Sequence, residues 1–357
     1  MKAKTDFHML SFRPLIGKLR DIARQPYADI TAHAADRWEV APGNEVYVPP
    51  AIFLPNQLDK IAGTEFGTKS DVLSAFRGDF THQAKPTMGY RIKDVDLVDG
   101  ILYAAGAQRH LRPRQNKALT YRRPSESMNA TMYESWIGNR WFGSWLGVDV
   151  IAYLLTETVD HPPVTTAPEI AGHTPRYEEL LRITPRRVQN MHFDELILFD
   201  DFPNNSGKTA RGWEMRKRLM NRRDPAPIPG VFILRGTTGD MRLLANETEL
   251  AENFARDYGF KIINPMDMTV DEIVIICANA QVVAGVEGSH LEHGLAVMPA
   301  KSTLFVIQPP DRVVATLKQE TDRQDRRFAM VVGDGTQDNF TADWTDIQRT
   351  MDMVAVQ

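Results

Sequence analysis

Cysteine is almost absent from this 357-residue chain, where Cys277 stands alone. One thiol cannot close an intramolecular disulfide or supply a Cys-rich zinc or iron–sulfur site. A basic excess is lacking too. The 42 Lys and Arg face 46 Asp and Glu, a net charge of −4, which argues against a general nucleic-acid binder. No stretch approaches the ~18 consecutive apolar residues of a spanning helix. The helix candidate Trp141–Leu155 is too short and carries Asp149. Met1–Arg24 holds no uninterrupted apolar run of the secretory kind, so the chain is expected in the cytoplasm, and the sequons at Asn129, Asn246 and Asn339 carry no weight.

What is present is the mix of a globular protein. Hydrophobic residues make up 43% and charged residues 25%, which excludes wholesale disorder and a fibrous repeat. At roughly 100–200 residues per domain, the length suggests two domains. The basic residues are skewed, with 29 Arg to 13 Lys. Arginine suits bidentate recognition of phosphate or carboxylate, but base composition of the gene produces the same skew. The Arg-rich stretch Arg109–Arg123 reads as a solvated or ligand-facing loop, with peripheral association at the inner face of a membrane as the alternative.

Periodicity is clearest between Gly230 and Pro310. Apolar runs at Val231–Arg235, Phe260–Asn264, Gln281–Gly285 and Thr303–Ile307 read as buried strands. Between them lie helix signals. Asn246 with Glu249, and Thr269 with Glu272, have capping-box spacing, and Gly259 is a stop. A third helix is expected after Ser289, to about Met298. This β-α-β-α rhythm predicts a parallel, doubly wound sheet. In the N-terminal half, Glu45–Val48 and Glu195–Phe199 read as strands, and Val95–Tyr103 as a hairpin around an Asp-Gly turn. Trp141–Leu155 reads as an amphipathic helix and Tyr177–Ile183 as another. The simplest division is an N-terminal α/β domain over 1–204, a Rossmann-like domain over 205–338, and a closing helix within 339–357 packing back on the first domain.

The turn Val283-Ala-Gly-Val-Glu-Gly-Ser-His290 is the sharpest local feature. Gly285, Gly288 and Ser289 at a helix start would let backbone N–H groups approach an anion. The turn also falls at the carboxyl edge of a strand, where open α/β sheets bind ligands. It is neither a G-x-G-x-x-G fingerprint nor a Walker A loop, which counts against a Rossmann oxidoreductase. Glu287, His290, Glu292 and His293 crowd it, and a carboxylate there could serve as general base or ligand contact. His290 and His293 are three apart without the H-E-x-x-H spacing, so no metal site is expected. Arg235 ends the first strand and Arg242 follows in the next loop, a candidate diphosphate clamp. The bland alternative for these arginines is a surface ion pair with Asp240 or Glu247. Asp149 stands on the amphipathic helix and could face a ligand or simply solvent.

With these residues in place, the chain resembles glycosyltransferase family 61. The matching pieces are Phe193–Leu198, Ile233–Arg235 with Arg242, Asn246–Leu250, Tyr258–Pro265, Met268–Ile273 and Ala278–Leu291. Upstream, Asn139-Arg-Trp-Phe-Gly-Ser-Trp-Leu-Gly-Val-Asp149 is similar to the family's Asn-x-x-x-His-Trp-Leu-x-Asp helix, and Phe328–Gly333 to its closing strand. The chain has Glu287 and Ser144 where the family usually has His. The resemblance implies a GT-B fold, two Rossmann-like domains facing across a cleft. It implies an inverting, metal-independent transfer of sugar from a nucleotide-diphosphate donor, a UDP-sugar first, to a glycan or lipid-linked acceptor in bacterial capsule or lipopolysaccharide synthesis. No cofactor beyond that co-substrate is implied. The carried-over residues are Glu287, Asp149 and His290 for catalysis. Arg235, Arg242, Glu247, Gly288, Ser289, His290, Glu292 and His293 are carried over for the nucleotide sugar. Asn139, Ser144 and Trp145 fall on the acceptor side. The two departures also leave open a non-catalytic nucleotide- or glycan-binding protein on a degenerate scaffold.

Overall fold

The computed structural model describes residues 10–25, 29–116, 118–168, 172–236, 239 and 241–356. The fold is mixed α/β and divides into two compact units. One takes the chain to Pro42 and then Pro86–Pro203. The other takes Gly43–Lys85 and everything from Asn204.

The first unit is built on a mixed sheet. Its long strands Thr87–Val98 and Met191–Asp200 pair antiparallel, with Val95 opposite Phe193 and Ile92 opposite Leu196. Ile101–Ala104 and Ala107–His110 continue as an antiparallel meander beyond Thr87–Val98. The Asp99-Gly100 turn has positive φ at both residues, 52° and 71°, as a two-residue hairpin requires. On the other side, Ser127–Met132 runs parallel to both Met191–Asp200 and Pro163–Thr165. Ile92, Val95, Leu97, Phe193, Leu196 and Leu198 form the core under this sheet. The antiparallel meander shows that this unit is not the Rossmann-like domain expected for the N-terminal half.

The helix expected over Trp141–Leu155 is interrupted. It starts as Phe142–Ser144, widens to a π-turn over Trp145–Asp149, and resumes as Val150–Thr156. The amphipathic reading is corrected as well, because every residue of Val150–Thr156 is buried, and spacing cannot reveal an extra residue in one turn.

The second unit carries the parallel sheet. Strands Ile228–Ile233, Lys261–Ile263, Ala280–Val286, Thr303–Gln308 and Arg327–Val332 are all parallel neighbours. Their spatial order is second, first, third, fourth, fifth. That is the doubly wound order whose switch point lies between the first and third strands. Helix Glu247–Tyr258 ends on Gly259 at φ 70°. Thr269 and Glu272 form the reciprocal cap of Val270–Cys277, with Thr269 N donating to Glu272 Oε2 at 2.8 Å. Asn246 does not cap its helix. Its side chain is taken by the backbone of Ala342, donating to the carbonyl at 2.9 Å and accepting from the N–H at 3.2 Å.

Two domain expectations are corrected. Residues 43–85 join the second unit because Ile52 bridges the edge strand at Ala329. Ile52 N donates to Phe328 O at 2.8 Å, and Met330 N donates to Ile52 O at 2.9 Å. An edge strand presents unpaired backbone groups, and this inserted segment satisfies them. The closing helix, Trp344–Val356, packs on its own unit's sheet, where Ile347, Met351 and Val354 join Phe232, Phe254 and Phe305 in one core.

Candidate functional site

The carboxyl ends of the first, third and fourth parallel strands converge on a cluster of charge. Arg235 lies just beyond Ile233, Glu287 just beyond Val286, and Arg312 follows Gln308 through Pro309-Pro310. Glu287 Oε2 accepts from Nη1 of Arg242 and, at 3.1 Å, from Nη1 of Arg312. Arg235, Arg242 and Glu287 are all buried. Burial first, and then the neighbouring Arg242, push the Arg235 pKa down to about 10, while Glu287 opposes the shift. Three guanidiniums therefore share a site with few counter-charges, the arrangement that binds a polyanion.

Glycine chemistry lets them approach. Gly288 has φ 154°, and a Cβ there would collide with Nη1 of Arg235. A Cβ on Gly285 would lie 2.7 Å from the Ile233 carbonyl oxygen. The helix expected after Ser289 is shorter than the sequence suggested, a 3-10 turn over Ser289–Leu291 and one α-turn over Glu292–Leu295. Only a few peptide dipoles align there, so fixed guanidinium charge, not a helix terminus, dominates the field.

An orphaned polar atom marks the same place. Among the described residues, Nε of Arg242 is out of solvent without a hydrogen-bond partner, and His290 lies beside it with the Ile233 backbone in reach of its ring. Buried donors are almost always satisfied, so such a group points to a ligand. Burial, then Arg235, His293 and Arg242, hold His290 well below the usual imidazole range and hence neutral. His293 is buried beside it.

The structure gives other expected members different tasks. Glu247 accepts from the backbone N–H of Arg235 at 2.8 Å and Gly236 at 2.9 Å, so it holds the loop. Glu292 turns inward. Burial and then Glu320 raise it well above the ordinary carboxylate range, with Arg323 and Arg326 opposing. Asp240 lies outside the described residues. Glu287 is committed to two arginines, which makes it a positioning group and a poor free base. Arg312 escaped the sequence reading. Its signal was available, because it sits past the fourth strand at the same edge as Arg235.

The first unit holds a cavity of about 290 Å³. Asp149, Arg109, Glu134 and Asp200 line it together with Trp136 and Phe202, both exposed. Asp149 closes the π-turn and is itself buried. Its Oδ2 accepts from the Ser135 N–H at 3.0 Å and its Oδ1 from the Ser135 hydroxyl at 2.7 Å. Gly138 has no side chain because a Cβ would collide with that carboxylate. The remaining acceptor-side candidates lie off the cavity wall. Trp145 packs on Phe142 and Tyr177 at 5.9 and 6.4 Å between ring centres. Asn139 accepts from Arg112 while its Nδ2 is out of solvent and unpartnered. Ser144 is half-buried at the π-turn.

Much of the Arg-rich stretch is internally committed. Arg109 pairs with Asp29 at 2.6 Å, and Arg123 pairs with Asp94 and Asp96. That pairing weakens the membrane reading of Arg109–Arg123. Among the described residues, no helix is long and apolar enough to cross a membrane, and no cluster of three His, Cys, Asp or Glu could hold a metal ion.

The family model described as Glycosyltransferase 61 matches residues 45–305. No curated protein matches the chain.

Proposed function

The chain belongs to glycosyltransferase family 61 and is a glycosyltransferase enzyme, and from that premise we propose that its second unit holds a nucleotide-diphosphate sugar at the Arg235–Arg242–Arg312 cluster. The observation that carries this reading is the convergence of three guanidiniums and an orphaned Arg242 Nε at the switch point of a doubly wound sheet. The donor is a UDP-sugar and the reaction is inverting. The donor half of this reading is a doubly wound nucleotide-binding sheet, supported by the 2-1-3-4-5 strand order.

As the acceptor hydroxyl attacks the anomeric carbon, the bond to the diphosphate breaks and negative charge gathers on the leaving group. Guanidiniums already in place stabilise that charge without reorganising. They supply the charge a metal would otherwise bring. The base that takes the acceptor proton is Asp149, because Glu287 is spent on two arginines. Its two hydrogen bonds from Ser135 hold it as an oriented carboxylate beside the cavity. Exposed Trp136 and Phe202 give the cavity the apolar platforms that sugar rings stack on, and its carboxylates suit their hydroxyls. The acceptor is a glycan or lipid-linked glycan of a bacterial surface polysaccharide.

Calorimetric titration with UDP, GDP, ADP and CDP tests the donor half. Arg235→Ala should weaken the bound nucleotide tenfold or more, on the order of one lost charge-assisted hydrogen bond. Failure of all four to bind the wild type would refute the assignment. Asp149→Asn should retain nucleotide binding and lose sugar transfer, and a variant that still transfers removes Asp149 as the base.

A further inference from the structure

An exposed aromatic ring stands beside the arginine cluster, and neither the sequence reading nor the site above uses it. Phe66 is 54% exposed. Its φ is 59°, a backbone region that bulky residues avoid and that persists only when the surroundings impose it. The surroundings do impose it. Ala62 N and Gly63 N donate to the Pro310 carbonyl at 2.8 and 3.2 Å, Val313 N donates to Gly63 O at 3.0 Å, and Glu65 N donates to Val313 O at 3.1 Å. Thr64 completes the pairing as a bridge to Val313. Glycine at 63 is required, because a Cβ would run into the Asp311 carbonyl. Beyond the ring, Thr64 Oγ1 donates to Gly67 O at 3.0 Å, and Thr68 caps the helix Lys69–Arg77.

This ladder registers Phe66 against Arg312. The Arg312 Cζ lies 5.6 Å from the ring centre, while its Nη1 reaches Glu287 Oε2 at 3.1 Å. One side chain thus connects the aromatic ring to the diphosphate clamp. A nucleoside diphosphate has the same layout, a charged end and a planar end separated by one ribose. We infer that Phe66 is the stacking platform for the nucleobase of the donor, with Arg312 bridging base and diphosphate. The inference rests on the proposed donor site and adds the residue that reads its planar end. Stacking is tolerant of base identity, since every base has a π-face. Phe66 therefore contributes affinity for the nucleoside and leaves the choice of base to other contacts.

The test compares nucleotide with inorganic pyrophosphate, which lacks the base. Wild type, Phe66→Ala and Phe66→Trp are titrated with UDP, GDP, ADP and CDP and with pyrophosphate, with thermal melts to verify folding. Phe66→Ala should weaken the bound nucleoside diphosphate about 5- to 100-fold and leave pyrophosphate affinity unchanged. Phe66→Trp should keep the nucleotide. Equal loss for nucleotide and pyrophosphate would mean a structural effect and overturn the platform. Unchanged nucleotide affinity in Phe66→Ala would also overturn it, while leaving the arginine clamp standing. If the wild type binds neither nucleotide nor pyrophosphate, the donor site itself fails and the platform with it.

Discussion

Replacing Glu287 by Gln removes one negative charge from between Arg242 and Arg312 while keeping the side chain's shape. At an effective dielectric of about 20, a unit pair at the 3.1 Å separation of Arg312 and Glu287 attracts by about 5 kcal/mol. Desolvation offsets part of this, and removing one partner of a buried pair typically costs about 3–5 kcal/mol. Gln still accepts a hydrogen bond, so the loss should sit near the lower figure. At about 2–4 °C per kcal/mol for a unit of this size, the melting temperature should fall by roughly 6–12 °C. The diagnostic part is the response to an anion. With Glu287 neutralised, three guanidiniums, those of Arg235 and Arg242 buried, repel with one fewer counter-charge, and pyrophosphate can supply it. Saturating pyrophosphate, near 100 times its Kd, stabilises a binding protein by about 2.7 kcal/mol. Because its affinity for the variant should be higher, the variant should gain more than the wild type at equal ligand. Differential scanning calorimetry across a pyrophosphate series reads both effects. A variant that melts with the wild type, or gains less from pyrophosphate, refutes Glu287 as the charge that holds the arginines together.

Three other outcomes follow from the same geometry. Glu292 takes up its proton well above the ordinary 4.5, through burial and then Glu320. Between those values the folded state binds more protons than the unfolded, so the wild type loses this stability as pH rises above 4.5. Glu292→Gln mimics the protonated form, and its melting temperatures at acidic and mildly alkaline pH should diverge less than the wild type's; equal divergence contradicts a protonated Glu292 buried beside Glu320. His290 is shifted the other way, well below 6.5. The unfolded chain then binds the extra proton, so stability falls as pH drops below 6.5, and His290→Gln should flatten that acid limb in pH-dependent melts. Gly288→Ala should displace Arg235 and lower pyrophosphate affinity in calorimetry while the fold is kept, whereas normal affinity would show that the close approach is dispensable.

The second unit's parallel strands and the helices Glu247–Tyr258 and Val270–Cys277 were legible because their causes are local. Val231–Arg235 and Thr303–Ile307 are apolar runs, Gly259 can adopt left-handed φ, and Thr269 with Glu272 carries its own cap. The glycine turn, Arg235 and Arg242 could be placed at one edge because parallel strands point their carboxyl ends the same way. Where a local signal had a distant competitor, the sequence misled. Asn246 has the composition of a cap, but the backbone of Ala342 claims its side chain. Glu287 reads as a free carboxylate until Arg312, 25 residues on, takes one of its oxygens. Glu292 stands two residues from His290 and yet turns toward Glu320 instead of the arginines.

The chain's composition and periodicity thus determined by themselves that it is mixed α/β with a doubly wound sheet and a glycine turn beside two arginines. Tertiary structure alone decided that 43–85 belongs with the second unit, that the closing helix packs on that unit's own sheet, and that Asp149 closes a π-turn on a cavity wall. Pairing partners far apart in sequence leave no periodic trace, because hydrogen bonds and ion pairs depend on where two side chains meet. Only the folded backbone sets that meeting.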